Sequence, residues 1–268
     1  MPKDTLPMTN LKPRARGLLL GLAAAGVPAD TALAEILGEE ILAARLDLER
    51  LAHRWAARGA TDPGLDPWTR SALAHITQHG TPPAQTDGTA GDGPLAFCLP
   101  VAIAARSTPR NLVSGSFHIA LLTHPEPRSA WATVAVNVAA AWLLLGKRDV
   151  LPEVLDVLRA NDAPAELTGA LRRVPFLRRE ELPASDGSAV TTATLALWLA
   201  HHEPIPARGM EWIAARLGIG TRTAGVAAAL LAARHGETQM PAGVAAGIEE
   251  SKRLRDLAGR LTGEGRAA

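Results

Sequence analysis

The chain has 268 residues, 47% of them apolar, which is enough to bury a sizeable core and close to the upper size for one domain. Its 28 basic residues are balanced by 27 acidic ones, so no net field draws in nucleic acid or an anionic membrane surface, and neither is expected as a partner. The single cysteine, Cys98, excludes disulfide staples and cysteine-rich zinc sites and points to a reducing, cytoplasmic setting.

From the N-terminus, residues 1–10 read as a mobile end. The stretch "KPRARGLLLGLAAAGVPADTALA" has the basic start, apolar run and small residues of a secretory signal, but it also reads as a first helix with Pro13 near its start. Alanine- and leucine-rich segments at helical spacing predict helices over 13–25, 31–45, 47–58, 66–78, 109–122, 127–146, 148–160, 188–201, 206–217 and 221–235. Strand-like alternation is nearly absent, so the fold class is all-α. "DPGLDPW", "THPEPR", "NDAPAE", "PASDGS" and "HEPIPAR" supply the stops and starts between helices. Residues 79–94 form a longer polar run rich in Gly, Thr and Asp, the kind of loop that lines sites. Residues 263–268 read as a second mobile end, leaving one helical domain over 11–262.

The usual catalytic constellations are missing: there is no His-Glu-x-x-His, no P-loop and no Gly-x-Ser-x-Gly. His201 and His202 are adjacent on a predicted helix and point apart. His124, in "LLTHPEP", stands in a loop, where it either serves a site or caps carbonyls. Gly218-Ile219-Gly220-Thr221-Arg222-Thr223 directly precedes the small-residue run "AGVAAALLAARHG". Two glycines, a capping threonine and a buried helix make a junction whose first N–H groups are free for an anion. The motif is weak on its own.

Taken in order, "RARGLLLGLAAAG", "ADTALAEILGEEILAARLDLERLAHRW", "TRSAL", "GDGPLAFCLPVAIAA", "LLTHPEPRSAWATVA", "GSAVTTATLALWLAHH" and "GIGTRTAGVAAALLAARHGETQMP" resemble the ADP-ribosylglycohydrolase family over nearly the whole chain. The first of these blocks looks like the family's first helix, which favours the helix reading over the signal. The resemblance implies one orthogonally packed helical domain whose cleft holds two magnesium ions and an ADP-ribosyl group. In the family, a Thr-Asp-Asp-Thr run opening an early helix and a Gly-Gly-Asp-Thr-Asp-Thr run opening a late one supply hard oxygen ligands. The metals orient the ribose and help activate water there.

In this chain those positions read Pro28-Ala29-Asp30-Thr31 and Gly218-Ile219-Gly220-Thr221-Arg222-Thr223, so one early carboxylate and both late ones are gone. The family's Asn-Gly-x-x-Met-Arg appears as Asp92-Gly93-Pro94-Leu95-Ala96-Phe97, while "THPEPR" retains His124 at the cleft. The resemblance therefore implies a ligand site at Asp30, Thr31, Asp92, Gly93, His124, Gly218, Gly220, Thr221, Arg222 and Thr223, with no metal ligands, no cofactor and no catalytic residue. If the two helix starts face each other, Arg222 lies opposite Asp30. Three functions stay open: an inactive member that binds ADP-ribose, a nucleotide, another phosphate-bearing ligand or an ADP-ribosylated protein; a working hydrolase with a rebuilt site; and a helical scaffold acting through protein contacts.

Overall fold

A computed structural model describes residues 10–43, 46–84, 89–241 and 251–263. Apart from Asn10 and Gly263, both expected mobile ends lie outside the described residues, as do 85–88 of the polar loop. The first two helices, α1 (Leu11–Ala25) and α2 (Pro28–Leu42), are separated by Gly26 and Val27. They are followed by α3 (Leu48–Gly59), α4 (Pro67–His79), the short α5 (Gly93–Phe97) and α6 (Leu99–Ala104), then α7 (Pro109–Leu121) and α8 (Pro127–Leu144). The second half holds α9 (Leu151–Ala160), α10 (Ala165–Arg173), α11 (Ala189–His202), α12 (Pro206–Trp212), α13 (Arg222–His235) and α14 (Ser251–Leu261). The chain is all-α: among the described residues the sole β feature is an isolated antiparallel bridge between Gly91 and Ser188. No described helix is long and apolar enough to cross a membrane.

Every predicted helix is present, and four further ones are found among the described residues. The pair α5 and α6 was not readable from periodicity, because all of its residues from Gly93 to Ile103 are buried and Pro94 and Pro100 each open a new turn. The helix predicted over 206–217 is α-helical only to Trp212 and closes in a π turn over Ile213–Leu217 before Gly218.

The core is built around α13, whose residues Thr223–Ala233 are all buried. Alanine and glycine leave room on every face, so α1, α8 and α11 all pack against this one helix. The α1 crossing is the tightest. A Cβ added at Gly21 would stand 2.5 Å from the Ala228 carbonyl oxygen, and one at Gly225 would stand 2.6 Å from Gly26 Cα. This contact seats the start of α13 beside the start of α2. Local signals fix the other helix starts that matter: the side chains of Asp66, Glu126, Ser188 and Thr221 accept N–H bonds at the N-caps of α4, α8, α11 and α13.

Candidate functional site

Around the first turn of α13, polar side chains from distant parts of the chain converge in the interior. Asp30 in the first turn of α2 has no exposed surface, and Arg222 opening α13 exposes only 13% of its side chain. The two meet. Arg222 Nε lies 2.8 Å from Asp30 Oδ2, an ion-pair contact off hydrogen-bond geometry, while Nη2 donates to Asp30 Oδ1 at 3.2 Å. The same Nη2 donates to the Gly64 carbonyl at 3.3 Å and lies 3.7 Å from Asp66 Oδ2.

Asp66 has two duties. As the α4 N-cap it accepts the Thr69 N–H at 2.8 Å and the Thr69 hydroxyl at 2.5 Å, and it also faces His124, whose Nε2 is 3.8 Å from Asp66 Oδ1. His124 is buried with Nδ1 hydrogen-bonded to the Thr123 hydroxyl at 3.0 Å, and its Nε2 has no hydrogen-bond partner among the described residues. Backbone packs tightly over this pair. A Cβ on Gly91 would stand 2.8 Å from His124 Nε2, and one on Gly93 would stand 2.7 Å from Thr69 Oγ1 and 2.9 Å from Asp66 Oδ2.

A third carboxylate, Asp92, accepts from the Thr192 hydroxyl at 2.8 Å. From there a row of hydroxyls runs outward, Thr192 to Thr223 at 2.8 Å and Thr223 to the exposed Ser185 at 2.7 Å. Asp92 is held in place by its own N–H, which donates to the Gly187 carbonyl at 3.1 Å, and by the bridge that pairs Gly91 with Ser188. On the other side, the Ser129 hydroxyl of α8 donates to the Gly91 carbonyl at 2.8 Å.

Three carboxylates therefore share one guanidinium in a medium that penalises unbalanced charge. Burial, helped by the negative charges of Asp66 and Asp92, pushes Asp30 up to about 8 in spite of Arg222. Burial likewise takes Asp92 up to about 6 against the Thr192 hydrogen bond. For Asp66, burial is outweighed by the charges of His124 and Arg222 and by the Thr69 hydrogen bonds, which hold it below the usual carboxylate range. Burial drives His124 down to about 4, so its imidazole is neutral at pH 7. Burial opposes the charge on Arg222, but the three acids raise its pKa and keep it protonated. The protons retained on Asp30 and Asp92 belong to the cluster as a unit.

Of the residues singled out in the sequence, Asp30, Asp92, Gly93, His124, Arg222 and Thr223 come together here. The others do not reach the cluster. Thr31 turns its hydroxyl toward the Val27 carbonyl at 3.5 Å and lines a separate polar cleft with Glu35, Arg54 and Arg58. Thr221 spends its hydroxyl on the α13 cap, accepting the Ala224 N–H at 3.2 Å and facing the Leu217 and Gly218 carbonyls. Gly218 and Gly220 supply the turn, with φ of +78° and +89°, and the Gly220 N–H donates to the Ala25 carbonyl at 2.8 Å, tying the junction to the end of α1. Sequence reading missed Asp66, Thr69 and Thr192. The run Asp66-Pro67-Trp68-Thr69 carries a visible N-cap signal, but nothing in it says that the capping carboxylate also serves a cluster.

Comparison with known proteins places these features in a wider group. The sequence matches the family description ADP-ribosylglycohydrolase over residues 24–268. Among curated proteins, none matches it in sequence. Among solved structures, one described as an ADP-ribosylglycohydrolase-related protein complex superposes with a TM-score of 0.79 at 23% identity, covering 95% of this chain and 98% of that one, a likeness of fold.

Proposed function

This chain belongs to the ADP-ribosylglycohydrolase family, and we propose that within it the chain is a binding member without hydrolytic turnover, in which the Arg222 guanidinium stands in for metal charge. The observation that carries this reading is the Arg222–Asp30 pair, 2.8 Å long at the junction of the two helix starts. Magnesium requires oxygen ligands at about 2.0–2.1 Å in octahedral array. The donor set here does not fit it. Asp30 is engaged by the guanidinium, Asp66 by Thr69 and Asp92 by Thr192. Among the described residues no group of three or more His, Cys, Asp or Glu side chains is arranged to hold a metal ion.

The same arrangement favours a phosphate-bearing ligand such as ADP-ribose, free or carried on a protein. Besides its bond to Asp30 Oδ1 at 3.2 Å, Arg222 Nη2 contacts Asp66 only at 3.7 Å and the carbonyl of exposed Gly64 at 3.3 Å, so an incoming phosphate displaces these two weak partners while Asp30 keeps hold of the guanidinium. A charge-assisted bond to a planar guanidinium suits phosphate geometry. The reading is tested by titrating ADP-ribose into the protein calorimetrically with and without magnesium, beside an assay for ADP-ribose release from an ADP-ribosylated arginine peptide. Saturable binding that ignores magnesium, with no release, is the expected result. Magnesium-dependent release would establish the protein as a hydrolase and overturn it.

A further inference from the structure

An open groove of about 640 Å³, away from the Arg222 cluster, lies between α7, α8 and α9. That volume lies within the range of small-molecule sites. Its walls are apolar and aromatic. Phe117 and Trp131 stand 4.9 Å apart at an interplanar angle of 49°, with Val113 beside them and Val157 on the α9 wall, all four half-buried. Exposed ring faces beside branched aliphatic side chains offer stacking surface to a flat apolar body.

The groove carries one acid and one base, Asp156 on α9 and Arg110 on α7. Asp156 is paired with Arg159 at 2.8 Å, whereas Arg110 has no ion-pair partner among the described residues. Arg110 also stands in the first turn of α7, where Thr108 gives no side-chain cap and no acidic residue balances the helix dipole. A cation at the positive end of a helix is unfavourable unless something anionic joins it. The groove thus sets two aromatic rings near an exposed arginine that has no ion-pair partner among the described residues, while its acid is already paired.

We propose that this groove binds a small aromatic anion, an aryl carboxylate whose ring lies against Phe117, Trp131 and Val157 and whose carboxylate meets Arg110 at the start of α7. The proposal does not depend on what the Arg222 cluster binds. It is tested by calorimetric titration of the full chain with 2-naphthoate and, separately, with its neutral counterpart 2-naphthylmethanol. Wild type should bind naphthoate saturably and more tightly than the alcohol. Arg110→Ala should weaken naphthoate about five- to tenfold and leave the alcohol unchanged. Val157→Trp should abolish both by filling the groove, with Val113→Trp as the replacement if the first variant does not fold by circular dichroism. Absence of saturable binding, equal affinity for acid and alcohol, or binding that survives a folded groove-filling variant overturns the proposal.

Discussion

Asp30 and Arg222 are 192 residues apart in sequence and in direct contact in the fold. Removing one side of such a pair strands the other, a loss of about 3–5 kcal/mol where burial is complete. Above pH 8, where Asp30 is ionised, Arg222→Ala should therefore destabilise the protein by an amount near the lower end of that range, since the guanidinium is only partly shielded. Asp30→Ala should add little on top, so denaturant unfolding of the two single variants and the double variant should be clearly non-additive. Strict additivity would mean the pair is not an energetic unit. The titration of the cluster gives a second expectation. Asp30 and Asp92 lie above their unfolded values of about 3.9, so the native state keeps protons that the unfolded chain releases, and their contribution falls as pH rises from about 4. His124 acts in the opposite sense between about 4 and 6.5, because there the unfolded chain is the more protonated. Above 6.5 Asp30 alone still titrates strongly. Stability should drop between pH 6.5 and 8 with a slope approaching about 1.4 kcal/mol per pH unit, and Asp30→Asn should flatten it. An unchanged slope in that variant would place the proton elsewhere. The Asp30–Arg222 contact was legible because a family resemblance set the two motifs opposite each other; Asp66 was not, because a helix cap and a cluster carboxylate look the same in sequence.

At the scale of elements, helix spacing was the most legible feature and tertiary closeness the least. Helices such as α8 and α13 announce themselves by length and small apolar residues, whereas α10 and α14 are short and charged and escape the pattern, although Leu254, Leu257, Ala258 and Leu261 of α14 are buried at helical spacing. The glycines of α1 and α13 show the same limit. In sequence, Gly17, Gly21 and Gly225 are only weak helix formers, and in the fold they are where two backbones meet. Gly21→Ala and Gly225→Ala each place a methyl group within 2.6 Å of backbone and should cost about 1–3 kcal/mol by overpacking. Gly169→Ala in α10 meets nothing within 4 Å and should instead stabilise by about 0.5–1 kcal/mol through helix propensity. Thermal or urea unfolding separates the two signs. A stabilising Gly225→Ala would show that α1 and α13 are not held at this spacing.

At the scale of the molecule, the packing of α2, α4, α5, α11 and α13 brings three carboxylates to one place, and a single side chain balances them. The fold therefore gathers three buried acids and sets a tethered guanidinium among them. A tethered cation costs no association entropy and cannot be chelated away. Arg222→Ala should reverse the arrangement. Without the guanidinium, Asp30, Asp66 and Asp92 remain as unbalanced buried acids, with the Thr223 and Thr192 hydroxyls beside them. A small divalent cation supplies the missing charge and prefers oxygen donors. Binding to the native state alone raises its stability by mass action, about 2.7 kcal/mol at a hundredfold excess over Kd. The variant, destabilised in buffer, should regain melting temperature on addition of millimolar Mn²⁺ or Mg²⁺, while wild type should not respond. The expected gain is limited, because the three carboxylates are positioned around a guanidinium and must move inward to reach an ion. If the variant folds but shows no shift with either metal, the carboxylates are too rigidly held by Thr69 and Thr192 to converge, and the cluster is a fixed ion-pair network and not an occupied cation site.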